Sequence, residues 1–191
     1  MIHRDYNGTG KWTVAAVKAR YTEYAARFGV TDPQTLSPKV HIQGEVQWTY
    51  PIMDAVIDGI KAGDPACSAI GVEFIEEDCR FPFGRRLKST TARALRQTQL
   101  SRALIVRIQR RITDMLLAGD TPREFREYAK LLRKVGFDEF WPRIQANPPH
   151  GSKYAMRYFG YFRSIQERSA AVVRLSAKNS FEPKPIRGSA N

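Results

Sequence analysis

Apolar residues recur every three or four positions through most of the chain, the spacing that gathers them on one face of an α-helix. Val14, Val17, Tyr21, Tyr24 and Phe28 lay out a first helix over residues 11–28, stopped at Gly29. A second covers 52–62, opened by Pro51 and ended by Gly63, which readily takes the left-handed conformation. Asp64 then caps a third helix over 65–78, and Pro65 fills its first position, where no amide hydrogen is missed. A fourth helix covers 85–97. Ser101 caps a fifth over 102–118, with Leu104, Ile108, Ile112, Met115 and Leu116 on one face. Gly119 ends it. Asp120 or Thr121 caps the sixth and Pro122 opens it; that helix carries Phe125, Tyr128, Ala129, Leu131 and Leu132 and stops at Gly136. One short turn is expected around Trp141-Pro142, and a last helix spans about 153–177.

Between these elements the chain reads as loop. Asn7-Gly8-Thr9-Gly10 are turn residues, and Pro33, Pro38 and Gly44 break residues 30–44, where one short helix or strand fits. No segment carries a firm strand pattern. The expected organisation is a flexible lead-in at 1–10, a helical domain at 11–146, a linker at 147–152, a C-terminal helix at 153–178 and a disordered tail at 179–191. The fold class is all-α: six to seven helices, in antiparallel hairpins packed as a short solenoid or an irregular bundle.

Two stretches look alike. Val56-Ile57-Asp58-Gly59-Ile60-Lys61-Ala62-Gly63-Asp64 aligns with Ile112-Thr113-Asp114-Met115-Leu116-Leu117-Ala118-Gly119-Asp120, and Pro follows each within two residues. The shared design is helix, Gly stop, Asp cap, Pro start, helix. These two turns resemble those of HEAT-like α-solenoid repeats. Their offset of about 56 residues exceeds the roughly 40–47 of that class. The resemblance implies a binding scaffold and brings no catalytic residues with it.

Composition changes the picture through charge. The 191 residues carry a net +12, with 42% hydrophobic and 11% aromatic residues, enough to fold without disulfides or metals. From Met1 to Asp78, 11 acidic residues face 7 basic ones; from Cys79 to Thr113 there are 10 basic residues and no acidic one. Arg80 opens that run. Arg85, Arg86, Lys88, Arg93, Arg96, Arg102, Arg107, Arg110 and Arg111 are its candidate polyanion- or acidic-partner-binding residues. On a helical wheel Leu87, Thr91, Ala94 and Leu95 share one side of the fourth helix, and Arg85, Arg86, Lys88, Arg93 and Arg96 the other. Arginine forks onto phosphate or carboxylate. The same side chains can instead pair with the acidic first third, at Asp54, Asp58, Glu73, Glu76, Glu77 and Asp78. A second basic segment holds Tyr154, Tyr158, Phe159, Tyr161 and Phe162 among Lys153, Arg157, Arg163 and Arg168. Of these, Tyr154, Tyr158 and Phe162 are candidate aromatic contacts, since aromatics among cations can stack on nucleic acid. Yet Tyr154, Tyr158, Tyr161, Ile165 and Val172 also follow the spacing of a packed face, against this domain or another subunit.

Other chemistry is thin. Glu73, Glu76, Glu77 and Asp78 could approach a hard cation, but no Glu-x-x-His pair accompanies them, and they crowd a helix C-terminus, where negative charge calls for a compensating neighbour. Gly8-Thr9-Gly10-Lys11 lacks the first glycine of a phosphate loop and has Trp12 where Ser or Thr would hold magnesium. His3, His41 and His150 stand apart with no nucleophile motif. Cys67 and Cys79 match no CxxC spacing and read as reduced, buried thiols. No catalytic residue, metal or cofactor is expected. No membrane span or export signal is visible, so the expected location is the cytoplasm. The chain is expected to be a non-enzymatic interaction module with a protein partner. Nucleic-acid binding through the same basic helices is the alternative, and the C-terminal helix is a route to an oligomer.

Overall fold

The computed structural model describes residues 1–78 and 81–179, with side chains as far as Ala171. Cys79, Arg80 and the expected tail beyond Asn179 therefore lie outside the described residues. Among the described residues are eight α-helices: α1 (Val14–Arg27), α2 (Met53–Lys61), α3 (Pro65–Glu77), α4 (Gly84–Gln97), α5 (Arg102–Leu117), α6 (Phe125–Val135), α7 (Phe140–Ala146) and α8 (Lys153–Asn179). A single 3-10 turn at Gly10–Trp12 precedes α1.

The helix starts follow local chemistry. Thr13 accepts from the Ala16 amide, Asp64 from the amides of Ala66 and Cys67, and Ser101 from that of Leu104. Gly63 and Gly119 take positive φ (86° and 74°) at the ends of α2 and α5. The second of these turns departs from expectation. Neither Asp120 nor Thr121 caps α6; Pro122 sits in a preceding turn, and the helix begins at Phe125 after Glu124.

Two corrections concern class and count. The protein is mostly helical, as the expected class requires, but it adds a small sheet, and α7 is a full helix, which raises six or seven to eight among the described residues. A three-stranded sheet joins residues far apart in sequence: β1 (Ile2–Asp5), β2 (Val40–Gln43) and β3 (Val46–Thr49), in the order β1-β3-β2. β1 runs parallel to β3, with Ile2 opposite Val46, and β2 runs antiparallel to it around Gly44. The segment expected as a flexible lead-in thus supplies an edge strand. Strand patterns rest on alternating burial. Here β1 and β2 are exposed throughout and β3 is half-buried throughout, so no alternation exists to be read.

The helices form two tiers. α2, α4 and α6 pack in succession on one side, and α1, α3, α5 and α7 on the other; α8 lies against α5 and α6. Helix α3 is central and buries Ala66, Cys67, Ser68, Ala69, Ile70, Gly71, Val72, Phe74 and Ile75. Its small residues let neighbours close in. A Cβ at Gly59 of α2 would collide with Cys67 Sγ and lie 3.1 Å from Cys67 Cβ. Gly59→Ala is therefore expected to destabilise the fold by about 1–3 kcal/mol of overpacking. That outweighs the gain of about 1 kcal/mol in helix propensity. Urea titration of Gly59→Ala, and of its pair with Cys67→Ala, checks this: the pair should recover part of the loss.

Candidate functional site

The basic run from α4 to α5 is largely consumed inside the molecule. Arg86 forks onto Asp54 of α2 with two 2.9 Å bonds. Arg107 binds Glu76 of α3, its Nε at 2.9 Å. Arg102 pairs with Asp138, Arg111 with Asp78 at 3.6 Å, and Arg96 with Glu127 at 3.5 Å. Lys88 corrects the wheel: it is not on the solvent side but buried (7% exposed), paired with Asp78 and 3.9 Å from Glu124. Of the nine, Arg85, Arg93 and Arg110, all exposed, have no carboxylate partner among the described residues. Three cations spread over two helices do not make the expected stripe.

The acidic end of α3 is occupied in the same way. Glu73 binds Arg20 at 2.7 Å and Tyr24, and Trp12 Nε1 donates to Glu77 at 3.0 Å. Burial, with the Glu73 hydrogen bond, pushes the Tyr24 phenol up to about 12. Among the described residues no three His, Cys, Asp or Glu side chains converge as a metal set. Tyr128 lies fully buried beside the Lys88 cluster; burial first, then the charges of Asp78 and Glu124, raises its phenol and keeps it neutral.

The free positive charge collects elsewhere, along α6. Three adjoining clefts of about 520, 450 and 670 Å³ run from α8 across α6 to the end of α4. The first is lined by Arg126, Ala129, Lys130, Tyr154, Arg157, Tyr158 and Tyr161; it shares Lys130 and Tyr161 with the second, where Arg133 and Lys134 stand. The second and third share Arg96 and Lys134. Among the described residues no carboxylate lines any of the three. Glu127 sits beside them, bound by Lys130 at 2.9 Å. Burial would raise its pKa, but Lys130, Arg96 and Arg93 together pull it below the ordinary glutamate value. These cations thus favour the charged form of Glu127. Arg126, Arg133, Lys134 and Arg157 are exposed and make no ion pair among the described residues.

The three proposed aromatic contacts divide. Tyr154 is 66% exposed at the mouth of the first cleft. Tyr158 is half-buried, its ring 4.8 Å from Phe125 in a T-shaped contact; burial raises its phenol, and Arg126 and Arg157 counter this. Phe162 is a correction: it is fully buried against Phe137, ring centroids 5.2 Å apart, and belongs to the core. Tyr161, not singled out, takes its place and accepts from Arg133 at 3.5 Å.

Reading charge by segment missed α6, because residues 114–140 sum to about neutral. The legible signal was spacing: Arg126, Lys130, Arg133 and Lys134 fall at i, i+4, i+7 and i+8, one face of a helix, while Glu124 points inward and is buried. No described helix is long and apolar enough to cross a membrane. Compared with known proteins, the chain matches no family model, no curated protein and no solved structure.

Proposed function

We propose that this protein is a non-enzymatic helical interaction module that docks an acidic protein segment in the groove along α6. The observation that carries it is the run of cations from Arg157 to Arg96 over a floor of Ala129, Tyr158 and Tyr161, with no carboxylate in the lining. A trough between α6 and α8 suits an amphipathic acidic helix: its apolar face would cover the tyrosines and its carboxylates would meet the rims. In helical-hairpin repeats, which the turns at Gly63-Asp64 and Gly119-Asp120 resemble, such surfaces are the working part of the fold.

A second reading rests on Tyr154. An exposed ring flanked by Arg126 and Arg157 is what a stacked base of single-stranded nucleic acid requires. Against it, Tyr158 and Tyr161 lean on Phe125 and Phe162, which leaves one open platform.

Fluorescence anisotropy with two probes separates them: a synthetic helical peptide with Leu at i, i+3, i+4 and i+7 and Glu elsewhere, and an oligothymidylate. Peptide binding is expected to weaken by about tenfold or more in Arg126→Glu/Arg157→Glu. It should stay unchanged in Arg85→Glu/Arg110→Glu, which lies outside the groove. Equal affinity of the groove variant and the wild type sinks the proposal. Tight oligothymidylate binding that falls steeply with salt and is lost in Tyr154→Ala selects the second reading.

A further inference from the structure

Among the described residues the small sheet has an open edge that the groove does not explain. β2 is the terminal strand on one side of the sheet. The Tyr50 amide bonds to the Lys39 carbonyl at 2.8 Å, which sets the phase of the β2–β3 ladder. Lys39, His41 and Gln43 then face β3 with their backbone groups, while the N–H and C=O of Val40 and Ile42 point away from the sheet. The same two residues carry exposed side chains, 52% and 56%, on one face of the strand. Met1 and Ile2, 70% and 58% exposed, add to the uncovered apolar surface of the sheet. Unpaired backbone beside exposed β-branched side chains is a template for another strand.

We propose that a second copy of this chain covers this edge, β2 pairing antiparallel with its own counterpart across a two-fold axis at His41. The strand is self-complementary in that register. Val40 lies opposite Ile42 of the other copy and Ile42 opposite its Val40, both in hydrogen-bonded pairs, so four β-branched side chains meet on one face. The sequence Val-His-Ile-Gln contains no carboxylate or cationic Lys or Arg to repel its copy. Charge favours a second copy here rather than elsewhere. Of the Asp, Glu, Lys and Arg residues the three strands hold Arg4 and Asp5, which cancel, so like charge does not oppose a second copy at this edge, whereas the exposed cations of α6 and α8 would repel theirs. Pro38 and Gly44 confine the ladder to four residues, and the contact is correspondingly small and weak. Self-association thus belongs to the sheet rather than to the C-terminal helix, whose tyrosines border the α6 groove.

Sedimentation velocity of the full chain over a range of concentrations tests this. The weight-average mass should rise from 21.8 kDa towards twice that value as concentration increases. Val40→Lys/Ile42→Lys should stay at the monomer mass with unchanged helical circular dichroism and melting temperature, because both side chains are exposed. In a Cys79→Ser background, His41→Cys should oxidise to a disulfide-linked dimer, whereas Gln47→Cys on the inner strand should not. A chain that remains monomeric at every concentration overturns the proposal, as does a dimer that survives the double lysine variant. The groove variant Arg126→Glu/Arg157→Glu should dimerise like the wild type; loss of the dimer there would move the contact to α6 and overturn the assignment to β2.

Discussion

Replacing Lys88 by Ala is expected to lower the unfolding free energy by about 3–5 kcal/mol, read as a fall in the urea midpoint at constant slope. The ammonium group enters the helix packing from α4 and meets Asp78 at the end of α3, with Glu124 at the start of α6. The Lys88 and Glu124 side chains are about 8% and 10% exposed, so water screens them little. Truncation leaves two carboxylates in a low-dielectric interior, where, among the described residues, Arg111 at 3.6 Å from Asp78 is the remaining ion-pair partner. The cost is the desolvation of charges that have lost their partner, not the strength of the pair. Combining Lys88→Met with Asp78→Asn and Glu124→Gln should therefore recover much of the loss. If Lys88→Ala costs no more than an exposed lysine substitution, the burial argument fails.

Asp64→Ala is expected to cost about 2–4 kcal/mol. One carboxylate performs three tasks. Its Oδ1 accepts from the amides of Ala66 and Cys67, and so starts α3; its Oδ2 accepts from Tyr21 of α1 at 2.7 Å and from Gln34 Nε2 at 2.9 Å. The cap of one helix is thereby the anchor of another and of the loop between α1 and β2. Tyr21 is buried, and burial with the Asp64 hydrogen bond pushes its phenol up to about 12, so it remains a donor. Burial alone would raise the Asp64 pKa, but the bonds from Gln34, Tyr21 and the two amides outweigh it and hold the group below its ordinary 3.8. A lowered folded-state pKa means that the unfolded chain takes up the proton first. The stabilisation is then complete above the ordinary value and is lost as pH falls through the lowered one. Asp64→Asn keeps much of the cap and should flatten the acid limb of a stability–pH profile. An unchanged acid limb would show that other carboxylates set it.

Much of the helical frame was readable from the chain alone, because the forces that start and stop helices act within a few residues. Ser101 and Asp64 cap the helices expected of them, Gly63 ends α2, and the apolar faces read for α5 and α6 are buried, as are Val17 and Tyr21 of α1, while Phe28 at its end is 40% exposed. The turn before α6 shows where local rules tire: three residues separate the expected start at Pro122 from the actual one at Phe125.

What the fold alone decided depends on contacts between segments far apart. The sheet joins Ile2 to Val46, and its strands are uniformly exposed or uniformly half-buried, so neither proximity nor alternation advertised it. The arginines of α4 and α5 are no different in sequence whether free or paired; Arg86 finds Asp54 across 32 residues and Arg107 finds Glu76 across 31, because α2 and α3 happen to face them. The positive groove arises the same way, from side chains of α4, α6 and α8 whose segments differ in net charge. Sequence determined which residues bear charge and which stretches coil into helices; tertiary structure decided which charges cancel, since electrostatic pairing depends on distance in space and helix formation on distance along the chain.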